Sequence, residues 1–320
     1  MPARQNESIN NFMLESLTAE HLRLCFGRVT HANSRHENRQ LPRIMENTRM
    51  NAPRTEKINV LGVDLETQLL GTPDNQQPTL VFLHEGLGSV SMWRDWPQAL
   101  CQTLGCAGLL YSRQGYGQSD PVPDVRGSSV QSGHQRSGRL QADYMHREAL
   151  VVLPELLRQL GIQKPMLLGH SDGGTIALLH AAHMQVHACM VMAPHVMVED
   201  MSIQAIELAR DAYENGTLRE RLQRFHSDVD CAFWQWNDVW LSQAFRRFDI
   251  RKTLASIQAP VLAIQGTDDP YGSMAQIDDI VRHVPRAQPL MLKDCGHSPH
   301  RDQPLAVTQA IENFLQHLKA

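Results

Sequence analysis

A serine set between glycines, where one apolar run ends and a helix-like run begins, can serve as an acyl-group nucleophile. Residues Met166 to Ile176 read MLLGHSDGGTI. The run ending at Leu168 reads as a short buried strand, and Thr175 to Leu179 as a helix. Gly169-His170-Ser171-Asp172-Gly173 fills the corner between them. Strand, abrupt turn and helix around G-x-S-x-G form a nucleophile elbow. So tight a turn strains the backbone at Ser171 and leaves room only for hydrogen at Gly169 and Gly173. It lifts the Ser171 hydroxyl clear of the sheet. The backbone N–H of Asp172, at a helix N-terminus, then faces a reacting carbonyl.

A hydroxyl is a poor nucleophile until a base takes its proton, and that base needs a carboxylate to orient it. His297, in CGHSP directly after the last strand-like run, is the candidate base. Asp269, in GTDDP after the preceding run, is the candidate acid, with Asp268 as its alternative. The order Ser…Asp…His suits this architecture. A second oxyanion donor should come from His84-Glu85-Gly86-Leu87-Gly88-Ser89, with Gly86 the first choice and Leu87 the second. Phe233, Trp236 and Trp240 recur at i, i+3 and i+7 on one helix face, and Trp93 follows the oxyanion loop. These rings either dock a helical segment on the core or line an apolar acyl pocket. His180, His183 and His187 have no carboxylate or cysteine converging on them, so neither a metal nor a cofactor is expected.

The elements that must hold these groups alternate along the chain. Ile58–Val60 and Val63–Leu70 flank Leu61-Gly62 as an antiparallel hairpin. Continuous apolar runs at Leu80–Leu83, Ala107–Tyr111, Pro165–Leu168, Ala188–Met192, Pro260–Ile264 and Pro289–Leu292 read as strands of a parallel sheet. Helical periodicity over Tyr144–Leu160 separates two of them. The fold class is therefore α/β, a mostly parallel sheet flanked by helices. Pro121–Gly138, rich in Gly, Ser, Pro and Arg, reads as a long flexible loop. Residues 196–256 hold only helix-like segments, enough for a helical cap inserted after the sixth strand. Residues 1–55, rich in Asn, Arg, Glu and His, read as a disordered extension, and 56–320 as the folded domain.

The chain has 320 residues, 42% of them hydrophobic, enough for one large core. Its net charge of −4 argues against nucleic acid or an anionic membrane as partner. No apolar run approaches the length of a membrane span. Six cysteines without a C-x-x-C pair, and no secretory signal, suggest reduced thiols in the cytoplasm.

From about Lys57 to Ala320 these landmarks, in this order, resemble the α/β-hydrolases. The Ser-Asp-Gly-Gly elbow is similar to that of valacyclovir hydrolase-like and meta-cleavage-product hydrolase-like members. The resemblance implies Ser171 as nucleophile, Asp269 as acid, His297 as base and His84–Gly88 as oxyanion loop. In valacyclovir hydrolase-like enzymes the residue matching Asp172 pairs with a substrate ammonium; a structural role at the helix N-terminus is the alternative. One departure is His84-Glu85, where many relatives have His-Gly, which could bring a carboxylate near the acyl group. A serine at the elbow differs from the aspartate of the epoxide hydrolase and haloalkane dehalogenase branches. The implied activity is cleavage of a small-molecule carboxylic ester with an apolar part, through an acyl-enzyme. Thioesters and carbon–carbon bonds use the same groups. An acyltransferase and a receptor-like ligand-binding member are the other classes to weigh.

Overall fold

The computed structural model describes residues 53–73, 76–133 and 135–318. The extension read from residues 1–55 lies almost wholly outside the described residues. The principal sheet has eight strands: β1 (Arg54–Val60), β2 (Val63–Leu70), β3 (Leu80–Leu83), β4 (Gly108–Tyr111), β7 (Met166–His170), β8 (Ala188–Met192), β9 (Val261–Gly266) and β10 (Ala287–Leu292). Their spatial order is β1-β2-β4-β3-β7-β8-β9-β10. β1 and β2 pair antiparallel through the Leu61-Gly62 turn, where Leu61 takes φ 56° and Gly62 φ 87°. β2 meets β4 antiparallel, with Thr67 opposite Tyr111. From β4 to β10 every pairing is parallel.

Composition follows position. β3, β4, β7, β8 and β9 are buried at every residue, and their sequences are runs of Leu, Val, Ile, Met and Ala with little polar relief. Strands covered on both faces require this. The edge strands β1 and β10 keep exposed residues such as Arg54 and Gln288.

Helices supply the crossovers. α1 (Trp96–Leu104) joins β3 to β4. α2 (Tyr144–Arg147) runs through a π-helical turn at Glu148–Val152 into α3 (Leu153–Gln159), which leads to β7. α4 (Asp172–His183) packs on β3, β7 and β8 and is apolar nearly all round, as a helix enclosed by protein must be. Between β8, the sixth strand of the sheet, and β9 stand α5 (Asp200–Glu214), α6 (Leu218–Leu222), α7 (Val229–Trp240) and α8 (Arg251–Leu254). α9 (Ala275–His283) precedes β10, and α10 (Pro299–Asp302) and α11 (Pro304–His317) follow it.

One expectation is corrected. The stretch 121–138 is not irregular throughout: β5 (Val130–Ser132) and β6 (Gln135–Ser137) pair as a small antiparallel ribbon. Its strands are three residues long, and β5 is exposed throughout, so no apolar alternation marks them in the sequence. Among the described residues no helix is long and apolar enough to cross a membrane. The five cysteines among them, Cys101, Cys106, Cys189, Cys231 and Cys295, are buried and form no disulfide among the described residues.

The strand order reverses at β3 and β7: the chain goes from β3 outward to β4 on one side, then returns to β7 on the other. Loops diverge there at the carboxyl ends of the strands, the place where open α/β sheets generally hold ligands. Every group treated next comes from that end of the sheet or from the helices around it.

Candidate active site

At the end of β7 the backbone of Ser171 takes φ 52°, ψ −118°, a conformation that L residues rarely adopt. The glycines flanking it follow from sterics. A Cβ on Gly169 would fall 2.1 Å from the Gly173 carbonyl oxygen, and one on Gly173 would fall 2.0 Å from that of Leu83. Neither distance is tolerable, so strand, turn and helix can close around Ser171 only with glycine at both places. The N–H of Asp172 opens α4, one of the four at a helix start with no carbonyl of its own helix to meet.

Ser171 Oγ lies 2.9 Å from His297 Nε2. His297 Nδ1 lies 2.9 and 2.8 Å from the two carboxylate oxygens of Asp269. A carboxylate accepts only, so Nδ1 carries the proton, and Nε2 is left to accept from the Ser171 hydroxyl. Asp269 is itself fixed, its Oδ1 accepting from the Tyr271 N–H at 2.8 Å and its Oδ2 from Gln265 Nε2 at 2.7 Å. Asp268, its neighbour, is exposed and lies beside Thr267. Gly266, the last residue of β9, lets the Asp269 and His297 loops approach: a Cβ there would fall 2.2 Å from the Cys295 carbonyl oxygen.

Charge follows contact. Burial pulls the His297 pKa down, but the Asp269 charge and hydrogen bond outweigh it, and Glu85 and Asp172 add to the rise, so it stands above the ordinary imidazole value. Burial pushes the Asp269 carboxyl up, and His297 reverses this, leaving it below the usual range. His195, after β8, has its ring 5.9 Å from that of His297 and 4.9 Å from Trp240. Burial pushes its pKa down to about 4, so it stays neutral beside His297.

The loop after β3, residues 84–89, is braced by side chains that the sequence does not single out. Arg113, just past β4, donates from Nη1 to the His84 carbonyl at 2.6 Å and from Nη2 to the Glu85 carbonyl at 3.0 Å. His84 Nε2 accepts from the Arg113 N–H at 3.0 Å, so its Nδ1–H donates to the Glu85 carbonyl at 2.7 Å. His226 works the same way. Its Nδ1 accepts from the Gly117 N–H at 2.9 Å, so its Nε2–H donates to the Leu87 carbonyl at 3.0 Å. Three carbonyls of this loop, those of residues 84, 85 and 87, are thus drawn onto other groups. Gly86 sits under the indole of Trp236; a Cβ there would fall 2.2 Å from Trp236 Nε1.

Asp172 is 1% exposed, and its side chain is engaged within the protein. Its Oδ2 accepts from Tyr144 Oη at 2.5 Å and stands 3.8 Å from Arg113 Nη2. Tyr144 Oη in turn accepts from Trp240 Nε1 at 3.0 Å. Burial raises the Asp172 carboxyl above its ordinary value despite the opposing pull of Arg113. The carboxylate that the resemblance links to an ammonium group here pairs with the arginine that holds the loop after β3. Asp172→Ala is expected to lower unfolding free energy by about 3–5 kcal/mol, because it strands a buried guanidinium. Urea denaturation of the two proteins measures it; a difference within experimental error would mean that the pair is not structural.

Of the four rings singled out, two face this region. Trp236 covers Gly86, and Trp240 meets His195 edge-on. Phe233 is 0% exposed and stacks on Tyr213 at 3.6 Å, so it joins α7 to α5. Trp93 is also buried, between Trp96, Phe82 and His300. Arg113, His226 and Tyr144 had no signal in sequence, since their partners lie 28 to 139 positions away.

Residues 80–310 match the profile of the alpha/beta hydrolase family. The chain is similar to the sn-1-specific diacylglycerol lipase ABHD11 of Danio rerio, 24% identical over 271 residues that cover 74% of this chain and 78% of the relative. It is also similar to the serine hydrolase BPHL of Homo sapiens, 26% identical over 196 residues, 58% of this chain and 66% of the relative. Among solved structures, a carboxylesterase study of the thaumarchaeon Nitrososphaera gargenis contains a chain that superposes with a TM-score of 0.64 at 18% identity, covering 83% of this chain and 99% of that one.

Proposed function

The chain belongs to the alpha/beta hydrolase family, and from that premise we propose that it is a serine hydrolase cleaving small carboxylic esters through an acyl-enzyme. The observation that carries this reading is the unbroken contact from the Asp269 carboxylate through His297 to Ser171 Oγ. Ser171 Oγ attacks the ester carbonyl as His297 Nε2 takes its proton. The carbonyl oxygen becomes an oxyanion, held by the N–H groups of Asp172 and Gly86; losing one such donor typically costs about 3 kcal/mol of transition-state stabilisation. His297 returns the proton to the departing alkoxide, the ester C–O bond breaks, and an acyl group remains on Ser171. Water then attacks, gives its proton to His297, and releases the carboxylic acid with Ser171 restored.

Asp269 keeps the imidazole in the required tautomer and stabilises the imidazolium as it forms. The helical segment 196–256 acts in this reading as a cap, with Trp236 and Trp240 giving the substrate side its apolar character. A substrate with an apolar acyl or alcohol part suits such a wall. Carboxylesterase and lipase names among the similar proteins support ester cleavage.

The test is a panel of p-nitrophenyl esters of increasing acyl length, run beside thioesters and with added alcohols as competing acceptors. Release of acid and alcohol with turnover supports the reading. Transfer to the added alcohol in place of hydrolysis would make it an acyltransferase, and one slow turnover leaving a stable adduct would favour a ligand-binding role.

The charge environment predicts the pH profile. The base works only when neutral, so kcat/KM should rise with pH through the His297 pKa. Because that pKa stands above the ordinary imidazole value, the acid limb should lie above about pH 6.5. An acid limb well below that value would contradict the environment described.

A further inference from the structure

We propose that Glu85, held between His170 and Arg301, is a positioning residue that ties the oxyanion loop, the elbow and the base loop into one unit and sets the electrostatic environment of His297. The inference rests on the reading of Ser171, His297 and Asp269 as the reacting groups. The Glu85 carboxylate lies between side chains of two other segments. Its Oε2 faces His170 Nδ1 at 3.4 Å, and its Oε1 lies 3.3 Å from Arg301 Nη2.

Each partner belongs to another part of the site. His170 is the residue before the nucleophile, and its Nε2–H donates to the His297 carbonyl at 2.6 Å. That bond pins the backbone of the base itself. Arg301, in α10 four residues past His297, also donates to the Met92 carbonyl at 3.1 Å. Three segments far apart in sequence are therefore joined through one side chain. His170 thus faces the base loop with Nε2, which bonds to the His297 carbonyl, and the Glu85 carboxylate with Nδ1. Burial pushes the Glu85 carboxyl up, but His170 and Arg301 outweigh this and hold it well below the usual range, so the carboxylate is ionised.

The groups facing His297 come from every loop around it. Asp269 and Tyr271 follow β9, Asp172 opens α4, and Glu85 lies in the oxyanion loop. His170 ends β7, with ring centroids 5.2 Å apart, and His195 follows β8. His300, in α10, is neutral, since burial drives its pKa well below the ordinary value. Glu85 is thus one of three carboxylates that favour the protonated base. Removing its charge also leaves Arg301 without that counter-ion, and both changes shift His297 the same way, to lower pKa.

The test uses the full chain, a fluorophosphonate as probe, and the rate of Ser171 phosphonylation against pH, with Tm measured for each protein. Glu85→Gln should slow the plateau rate about tenfold through misplacement of base and donors, and should move the acid limb to lower pH. Glu85→Asp keeps the charge and shortens the reach, so its limb should stay near that of the parent while its plateau falls; it also serves if Glu85→Gln does not fold. An unchanged plateau in either variant, or losses that track Tm with no movement of the limb in Glu85→Gln, would overturn the proposal and reduce Glu85 to an ordinary brace. Failure of the parent protein to label at Ser171 would instead overturn the hydrolase reading on which it rests.

Discussion

Ser171→Ala should lower kcat for ester hydrolysis by on the order of 10⁶-fold, with little change in KM or in Tm. The loss is large because nothing else on this corner can take the place of the hydroxyl. Cysteine is absent from it, and Asp172 turns its carboxylate to Arg113 and Tyr144. Residual turnover would come from the oxyanion donors and binding alone, which in such sites still exceed the rate in water by about 10³–10⁴-fold. Alanine should tolerate the position structurally less well than serine by no more than the strain already present, since both carry a Cβ at φ 52°. Steady-state kinetics at a single pH, with Tm recorded beside them, checks the result. A variant retaining a tenth of the parent rate would mean that the chemistry lies elsewhere.

Asp269→Asn is the second large effect, about 10⁴-fold in kcat. Both oxygens of the carboxylate already accept, Oδ1 from the Tyr271 N–H and Oδ2 from Gln265 Nε2, and both also face His297 Nδ1. An asparagine must turn its NH₂ toward one of these donors. If the NH₂ also faces His297, the ring is driven to the tautomer protonated on Nε2, which cannot accept the serine proton. One buried donor loses its acceptor, about 1–3 kcal/mol of stability, so Tm should fall moderately while kcat drops far more than that loss explains. The same exchange at Asp268, which is exposed, should leave kcat within about twofold, the usual range for a surface change. Comparable losses in both variants would contradict the arrangement.

What the sequence discloses depends on whether a feature is local. The elbow is legible because close approach of backbone to backbone demands glycine on both sides of Ser171, and the demand is written within five residues. The inner strands are legible because burial on two faces leaves few polar residues in β3, β4 and β7 to β9, His170 and Gln265 coming only at the carboxyl ends of their strands. Their carboxyl ends then mark where Asp269 and His297 must stand. The braces are another matter. Arg113 grips residues 28 and 29 positions before it, and His226 reaches back 139 positions to Leu87. No spacing rule carries such information, because the partners meet only once the sheet order is set.

Aromatic periodicity is ambiguous for a related reason. Phe233, Trp236 and Trp240 share one stripe of α7, yet Phe233 stacks on Tyr213 while Trp236 lies over Gly86. A stripe tells which face of a helix is covered, not by what. Glu85 shows the same limit in the other direction. Its place in the loop after β3 suggests a carboxylate beside the acyl group, and no local pattern announces the partners it has there, His170 and Arg301.

The most direct measurement is to treat the protein with a fluorophosphonate and map the adduct by peptide mass spectrometry. The account predicts a single phosphonyl group on Ser171, formed in the parent protein and absent after heat denaturation. Labelling of another residue, or none under conditions where the protein is folded, would contradict it.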